Sequence, residues 1–253
     1  MTVPTPWLIR APNRNAQSRL FCFSHAGGSA ADFLPWRAAL APHIDVCPLQ
    51  LPGRGARLRE APLLSPADAV EAALDALREH LDRPFACFGH SLGALLAFEF
   101  ARRCRELGLR EPARLMVSGC GAPACRHDTE PLHLMDDKTL MAVLRRYNGT
   151  PVQVLENPEL MDLMMPTIRA DFELASNYVY RRRPALDLPL SVLAGRTDGQ
   201  VSAEQAAAWR AETHAACELH WFDGDHFFIR ERQADVLGLV AAELSATPGL
   251  VPA

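Results

Sequence analysis

The sequence predicts an α/β fold with a mostly parallel central sheet flanked by helices, and three observations lead there. Short apolar runs rich in β-branched and aromatic residues recur at 20–24, 46–51, 85–88, 115–118, 190–193 and 218–222, each too brief for a helix. Helix-like stretches at 66–81, 93–107, 202–213 and 231–244 lie between them, and such alternation implies parallel strands joined by crossover helices. The length of 253 residues suits one substantial core rather than two, which makes 1–253 a single domain.

Taken in chain order, the first strand runs into Ser24-His25-Ala26-Gly27-Gly28-Ser29, a glycine-rich loop that exposes backbone amides ahead of a helical Ala30-Ala31-Asp32-Phe33. The second strand ends at Leu51-Pro52-Gly53-Arg54-Gly55, and Ser65-Pro66 and Val201-Ser202 supply helix starts. The segment 121–187 breaks the rhythm. It is helical in pattern, carries Met135, Met141, Met161, Met164 and Met165, and has turn signals at Asn148-Gly149-Thr150-Pro151 and Asn157-Pro158. It reads as an inserted helical lid, with Met161, Met164 and Met165, at helical spacing, as core rather than substrate tunnel.

Composition removes several function classes. Hydrophobic residues at 49% and charged residues at 22% are ordinary globular usage. A net charge of -4 and a pI near 6.1 argue against a nucleic-acid surface. Seven cysteines without a CxxC pair read as buried thiols rather than a metal cage, so no metal is expected and a reducing cytoplasm fits. No run approaches a membrane span, and Met1-Thr2-Val3-Pro4-Thr5-Pro6 lacks the basic and apolar regions of a secretion signal.

The chemistry concentrates where Phe85-Ala86-Cys87-Phe88 meets Gly89-His90-Ser91-Leu92-Gly93 and a helix follows. Strand, sharp turn and helix around GxSxG form a nucleophile elbow, which places this α/β chain in the α/β-hydrolase fold with Ser91 as nucleophile. The flanking glycines are needed because strand and helix approach closely there. The acid is Asp198, in the loop after the strand at 190–193, and the base is His226, in the loop after the strand at 218–222. That gives the order nucleophile, acid, histidine that this fold requires. His226 takes the serine proton while Asp198 sets its tautomer; Asp225 is the competing orienter, disfavoured by adjacency to His226. The amides of Ala26 and Leu92 form the oxyanion hole. His25 is a loop-structuring residue rather than a base, His90 points away from the serine, and His43, His80, His127, His133, His214 and His220 lack a strand-end setting.

With Ser24-His25-Ala26-Gly27-Gly28, Leu51-Pro52-Gly53-Arg54-Gly55, Gly89-His90-Ser91-Leu92-Gly93, Gly195-Arg196-Thr197-Asp198 and Gly224-Asp225-His226-Phe227 in this order, the chain resembles the type II thioesterases over nearly its whole length. The resemblance implies hydrolysis of acyl or aminoacyl thioesters from phosphopantetheine arms of carrier-protein domains. These belong to nonribosomal peptide or polyketide synthases of antibiotic or siderophore lines. It also implies no cofactor of the enzyme's own, and a free-standing enzyme of this kind can work as a monomer. Tyr147-Asn148-Gly149-Thr150-Pro151 and Pro166-Thr167-Ile168-Arg169-Ala170-Asp171-Phe172 are similar to the family's lid phrases, with Asn148 in place of an expected glycine. Arg54 has two readings, part of a strand-terminating turn or a contact to an acidic or phosphate group. Rival functions are an esterase or peptidase acting on free small molecules and a catalytically silent hydrolase-fold binding protein.

Overall fold

The computed structural model describes residues 5–13, 15–126 and 130–250, so residues 1–4 and His127 lie outside it. Among the described residues six strands form one sheet: β1 (Ser18–Phe23), β2 (Ile44–Pro48), β3 (Phe85–His90), β4 (Leu115–Ser118), β5 (Leu190–Gly195) and β6 (Cys217–Phe222). They lie in the order β2-β1-β3-β4-β5-β6 with every neighbouring pair parallel. This is the mostly parallel, helix-flanked sheet expected of the α/β-hydrolase fold. Because β1 sits between β2 and β3, the chain reverses its direction of travel across the sheet there. The carboxyl ends of β1 and β3 border the crevice that such a reversal opens, with Phe23 paired to Gly89.

Alternation along the strands builds two cores. Phe21, Phe23, Phe85 and Cys87 join the apolar faces of α2 (Pro66–Leu77) and α3 (Leu92–Glu106) on one side of the sheet. Leu20, Cys22, Ala86 and Phe88 join α1 (Leu34–Leu40) and α9 (Gln233–Ala246) on the other. Period-two side chains buried on both faces explain why the strand sequences are continuously apolar. Trp36 and Phe33 stack edge-on against Phe88, and truncating such a ring costs about 3–5 kcal/mol.

Several element limits differ from the sequence reading. β1 begins two residues earlier because Arg19, buried among apolar neighbours, donates to the His80 carbonyl and pairs with Asp82. β2 is displaced toward its start, and Leu49 leaves it to bridge Leu8. The helix expected at 202–213 is α7 (Ala203–Ala207) followed by a tighter 3-10 turn at Ala208–Glu212, and α8 (Phe228–Glu231) precedes α9. α1 extends the short helical turn read at 30–33, with Pro35 in its first turn, where no intrahelical donor is missed.

Among the described residues between β4 and β5 lie the helices α4 (Asp137–Tyr147), α5 (Val152–Leu155) and α6 (Pro158–Ser176). Asp136 caps α4 by accepting from Thr139 N, and Asn157 caps α6 by accepting from Leu160 N. Leu140, Val143, Leu144, Leu155, Met161 and Ile168 form a core of their own, against which Met164 and Met165 pack. The methionines are thus packing residues of this segment.

Candidate active site

Ser91 joins β3 to α3 at φ 55° and ψ -117°, a backbone state that a residue with a side chain adopts only under constraint. The constraint is closeness. A Cβ on Gly89 would stand 2.1 Å from the Gly93 carbonyl oxygen, and one on Gly93 would stand 2.1 Å from that of Phe23. Both positions therefore admit only hydrogen, which is why glycine stands two residues either side of the serine. The turn is secured by Ser91 N donating to Ser118 O at 2.8 Å and Ala94 N donating to Ser91 O at 3.0 Å. Leu92 opens α3, so its amide is among those with no carbonyl of the helix to bond and sits at the positive end of the helix dipole.

Asp198 and His226 stand beyond the ends of β5 and β6, which are hydrogen-bonded neighbours with Gly195 opposite Phe222. The His226 Nδ1–H donates to Asp198 Oδ2 at 2.8 Å, and the two side chains are 7% and 0% exposed. A carboxylate can only accept, so in the neutral imidazole the bond sets the tautomer and leaves Nε2 as the acceptor nitrogen of a ring that lines the cavity. Asp198 is held in turn by Gln200 N, which donates to Oδ1 at 2.8 Å. Asp225 does other work, since its oxygens accept from Phe227 N at 2.7 Å and from Asn148 Nδ2 at 3.2 Å. Asn148 takes the left-handed conformation at the end of α4, which asparagine tolerates, so the missing glycine is accommodated.

Ser91, Leu92, Ala26, Asp198 and His226 all line one cavity of about 760 Å³. Its walls include Leu95 of α3, Leu132, Tyr147 of α4 and Phe172 of α6, with Arg126, Glu130, Arg146 and Gln200 among the polar lining. A narrower slot of about 50 Å³, bordered by Ala26, Ser91, Gly149, Thr150 and Phe227, meets the same serine and histidine under the α4–α5 turn. Sequence reasoning did not single out Tyr147, whose ring lies 6.4 Å from that of His226, or Phe172; the lid phrases containing them were the only signal.

The remaining histidines behave differently. His90 is buried behind the elbow, bonded through Nδ1 to Ser118 Oγ at 3.0 Å, and burial holds its pKa well below the ordinary value. His25 packs edge-on against Phe227 at 4.8 Å, and its pKa falls to about 4, mainly through burial. Arg54 finds an acidic group within the chain, forming a two-pronged pair with Asp171 of α6 at 2.7 Å on each arm. Arg183 pairs with Glu106 at the surface. The cluster Glu218, His220 and Glu243 is already engaged with Arg114 through Glu243. Among the described residues, no helix is long and apolar enough to cross a membrane.

Residues 18–244 match the thioesterase domain family. The chain is 35% identical over 239 residues to the gramicidin S biosynthesis protein GrsT of Aneurinibacillus migulanus, spanning 94% of this chain and 93% of that protein. The solved structure of the type II thioesterase BorB from the borrelidin biosynthetic cluster aligns with a TM-score of 0.85 at 38% identity, covering 93% of this chain and 95% of BorB. The RedJ thioesterase from the prodiginine pathway of Streptomyces coelicolor aligns at 0.86 and 35%, covering 94% and 92%. A parallel sheet carrying a serine elbow, and likeness of this extent to such enzymes, lead to one conclusion: the chain belongs to the thioesterase family, in its type II branch, and is a serine hydrolase.

Proposed function

We propose that the protein hydrolyses acyl or aminoacyl thioesters on the phosphopantetheine arms of carrier-protein domains, releasing aberrant groups from a nonribosomal peptide or polyketide assembly line. The observation that carries the reading is the buried Asp198–His226 pair, which shares a cavity with a serine forced to positive φ. Ser91 Oγ attacks the thioester carbonyl as His226 Nε2 removes its proton. The Ala26 and Leu92 amides receive the oxyanion, and the collapse expels the pantetheine thiol. That thiol, with a pKa of about 8.5, leaves readily, so the histidine matters chiefly as a base. Water activated by the same imidazole then opens the acyl-enzyme. No cofactor is required by this sequence of steps. The carrier-protein partner is supported by the kinship with proteins named for gramicidin S and borrelidin biosynthesis. Residues 1–253 act as one domain in this reading, with the helical segment at 121–187 as the cover of the cavity. Seven free thiols favour a reducing cytoplasmic setting.

The test loads a panel of acyl and aminoacyl groups onto a carrier protein, and follows release by intact-protein mass spectrometry beside the same groups as simple free esters. Faster release from the carrier, abolished in Ser91→Ala, is the expected result. Equal rates on free esters would replace the reading with a general esterase, and turnover surviving in Ser91→Ala would remove the serine from its role.

A further inference from the structure

We infer that Arg54 and Asp171, a charge pair remote from the nucleophile in sequence, are positioning residues for the oxyanion hole, so that the helical segment over the site also shapes its chemistry. The inference rests on the proposed roles of Ser91 and the Ala26 amide.

His25 to Gly28 form a tight turn, closed by Gly28 N donating to the His25 carbonyl at 2.9 Å. Ala26 and Gly27 are its central residues, and Gly27 has φ +75°, the value that a type II turn demands at its third position. Such a turn differs from the commoner type I by a flip of its middle peptide. Here that peptide is pinned, because the Gly27 amide donates to Asp171 Oδ2 at 2.6 Å. Asp171 is 1% exposed and belongs to α6. Its charge is met by Arg54, which holds both carboxylate oxygens and also donates from Nη1 to the Gly28 carbonyl at 3.0 Å. Arg54 thus grips the turn at Gly28 while Asp171 grips it at Gly27, and Ala26 is the residue immediately before the pinned peptide.

Neighbouring contacts brace the same turn. Thr167 Oγ1 donates to the Gly53 carbonyl, and Ile168 Cγ1 would be 3.1 Å from a Cβ at Gly27. Gln50 accepts from Ala30 N at 3.2 Å and donates to the Arg54 carbonyl at 3.1 Å. Three segments distant in sequence therefore meet on one buried ion pair, beside an amide whose direction matters only when negative charge develops on the substrate oxygen. Donors that are preorganised for that charge act on the transition state more than on bound substrate. A surface turn could be held by any neutral contact. A buried carboxylate that accepts an amide while bonded twice to an arginine is a stiff and directional fixture.

The prediction is a split between kcat and KM. In Asp171→Asn the carboxylate that orders the turn is neutralised, and kcat on a simple p-nitrophenyl ester should fall about tenfold or more while KM stays within about threefold. Arg54→Lys keeps a positive charge beside the carboxylate and leaves its bond to Gly27, so its loss should be smaller. A trifluoromethyl ketone supplies a readout that stability alone would not move. Ser91 Oγ adds to its carbonyl, the serine proton passes to His226, and the resulting oxyanion occupies the hole. Its affinity should fall in each variant by the same factor as kcat, at a temperature well below the melting point of each. Unchanged ketone affinity and kcat in a folded Asp171→Asn, or in Arg54→Lys should the first variant not fold, would overturn the inference. A wild-type protein that forms no ketone adduct would instead overturn the role of Ser91 itself, and the inference with it.

Discussion

At the scale of single residues, the serine elbow trades stability for presentation of Ser91 to the cavity. Holding Ser91 at φ 55° and ψ -117° costs on the order of 1–3 kcal/mol, and glycine there would relieve it while adding about 0.5–1 kcal/mol of unfolded-chain entropy. Ser91→Gly should therefore be inactive yet more stable by about 1 kcal/mol, a rise of roughly 2–4 °C in melting temperature for a chain of this size. Differential scanning calorimetry of the variant beside wild type checks this, and a lower melting temperature would mean that the elbow is unstrained. Residues of this kind were legible in the sequence because their demands are local. Gly89 and Gly93 flank the serine at fixed spacing, and Asp198 and His226 each follow a recognisable strand. The Arg54–Asp171 pair was not legible. Its members lie on opposite sides of β3 and β4 in the chain, and nothing in either local pattern names the other, so Arg54 looked equally suited to a turn or to a ligand.

At the scale of elements, the α4–α5 turn is built into the wall of the site. A Cβ on Gly149 would stand 2.2 Å from Phe227 Cζ, and that ring is boxed in by His25 at 4.8 Å, His226 at 5.2 Å and His90 at 5.4 Å. The Arg230 guanidinium also bonds the Gly149 carbonyl, and Asn148 bonds Asp225 next to the histidine. Gly149→Ala must therefore displace either the turn or the Phe227 ring. Because misplacing a catalytic group by about 1 Å can cost on the order of a hundredfold, steady-state kinetics should show a kcat reduced by about tenfold or more. Melting temperature should change little, since the turn is half-exposed. Unaltered kcat would show that the turn moves independently of His226. The helices of this segment were legible as a class from its helical pattern and from the turn signals at Asn148-Gly149-Thr150-Pro151 and Asn157-Pro158. Their contacts with the site were not, because a turn's docking depends on shape rather than on residue pattern. The shift in β2 has a similar cause, for Leu49 is apolar enough to continue the strand but is taken by Leu8.

At the scale of the whole molecule, stability should depend on pH through two histidines that the fold keeps neutral. Burial is the main cause of the His25 pKa falling to about 4, with Arg230, His226 and Arg54 adding to it and Asp32 opposing. Burial also dominates at His90. In the unfolded chain both would titrate near 6.5. As pH falls below that value the unfolded state takes up protons that the native state refuses, so stability is fully present above about 6.5 and is lost toward 4. The slope is at most about 1.4 kcal/mol per pH unit for each histidine, against a typical total of 5–15 kcal/mol. Guanidinium midpoints should be level from pH 8 to 7 and fall between 6.5 and 5, a window above most carboxylate titrations. His90→Asn should have a shallower slope, and a wild type equally stable at pH 7 and pH 5 would show that these imidazoles accept protons when folded. The arrangement also serves the reaction proposed for the site. His90 lies 5.2 Å from His226 ring to ring, and a charged imidazole there would oppose the imidazolium that forms as Ser91 is deprotonated. Keeping the neighbours neutral lets Asp198 be the nearest charge that the imidazolium meets, at the expense of acid stability.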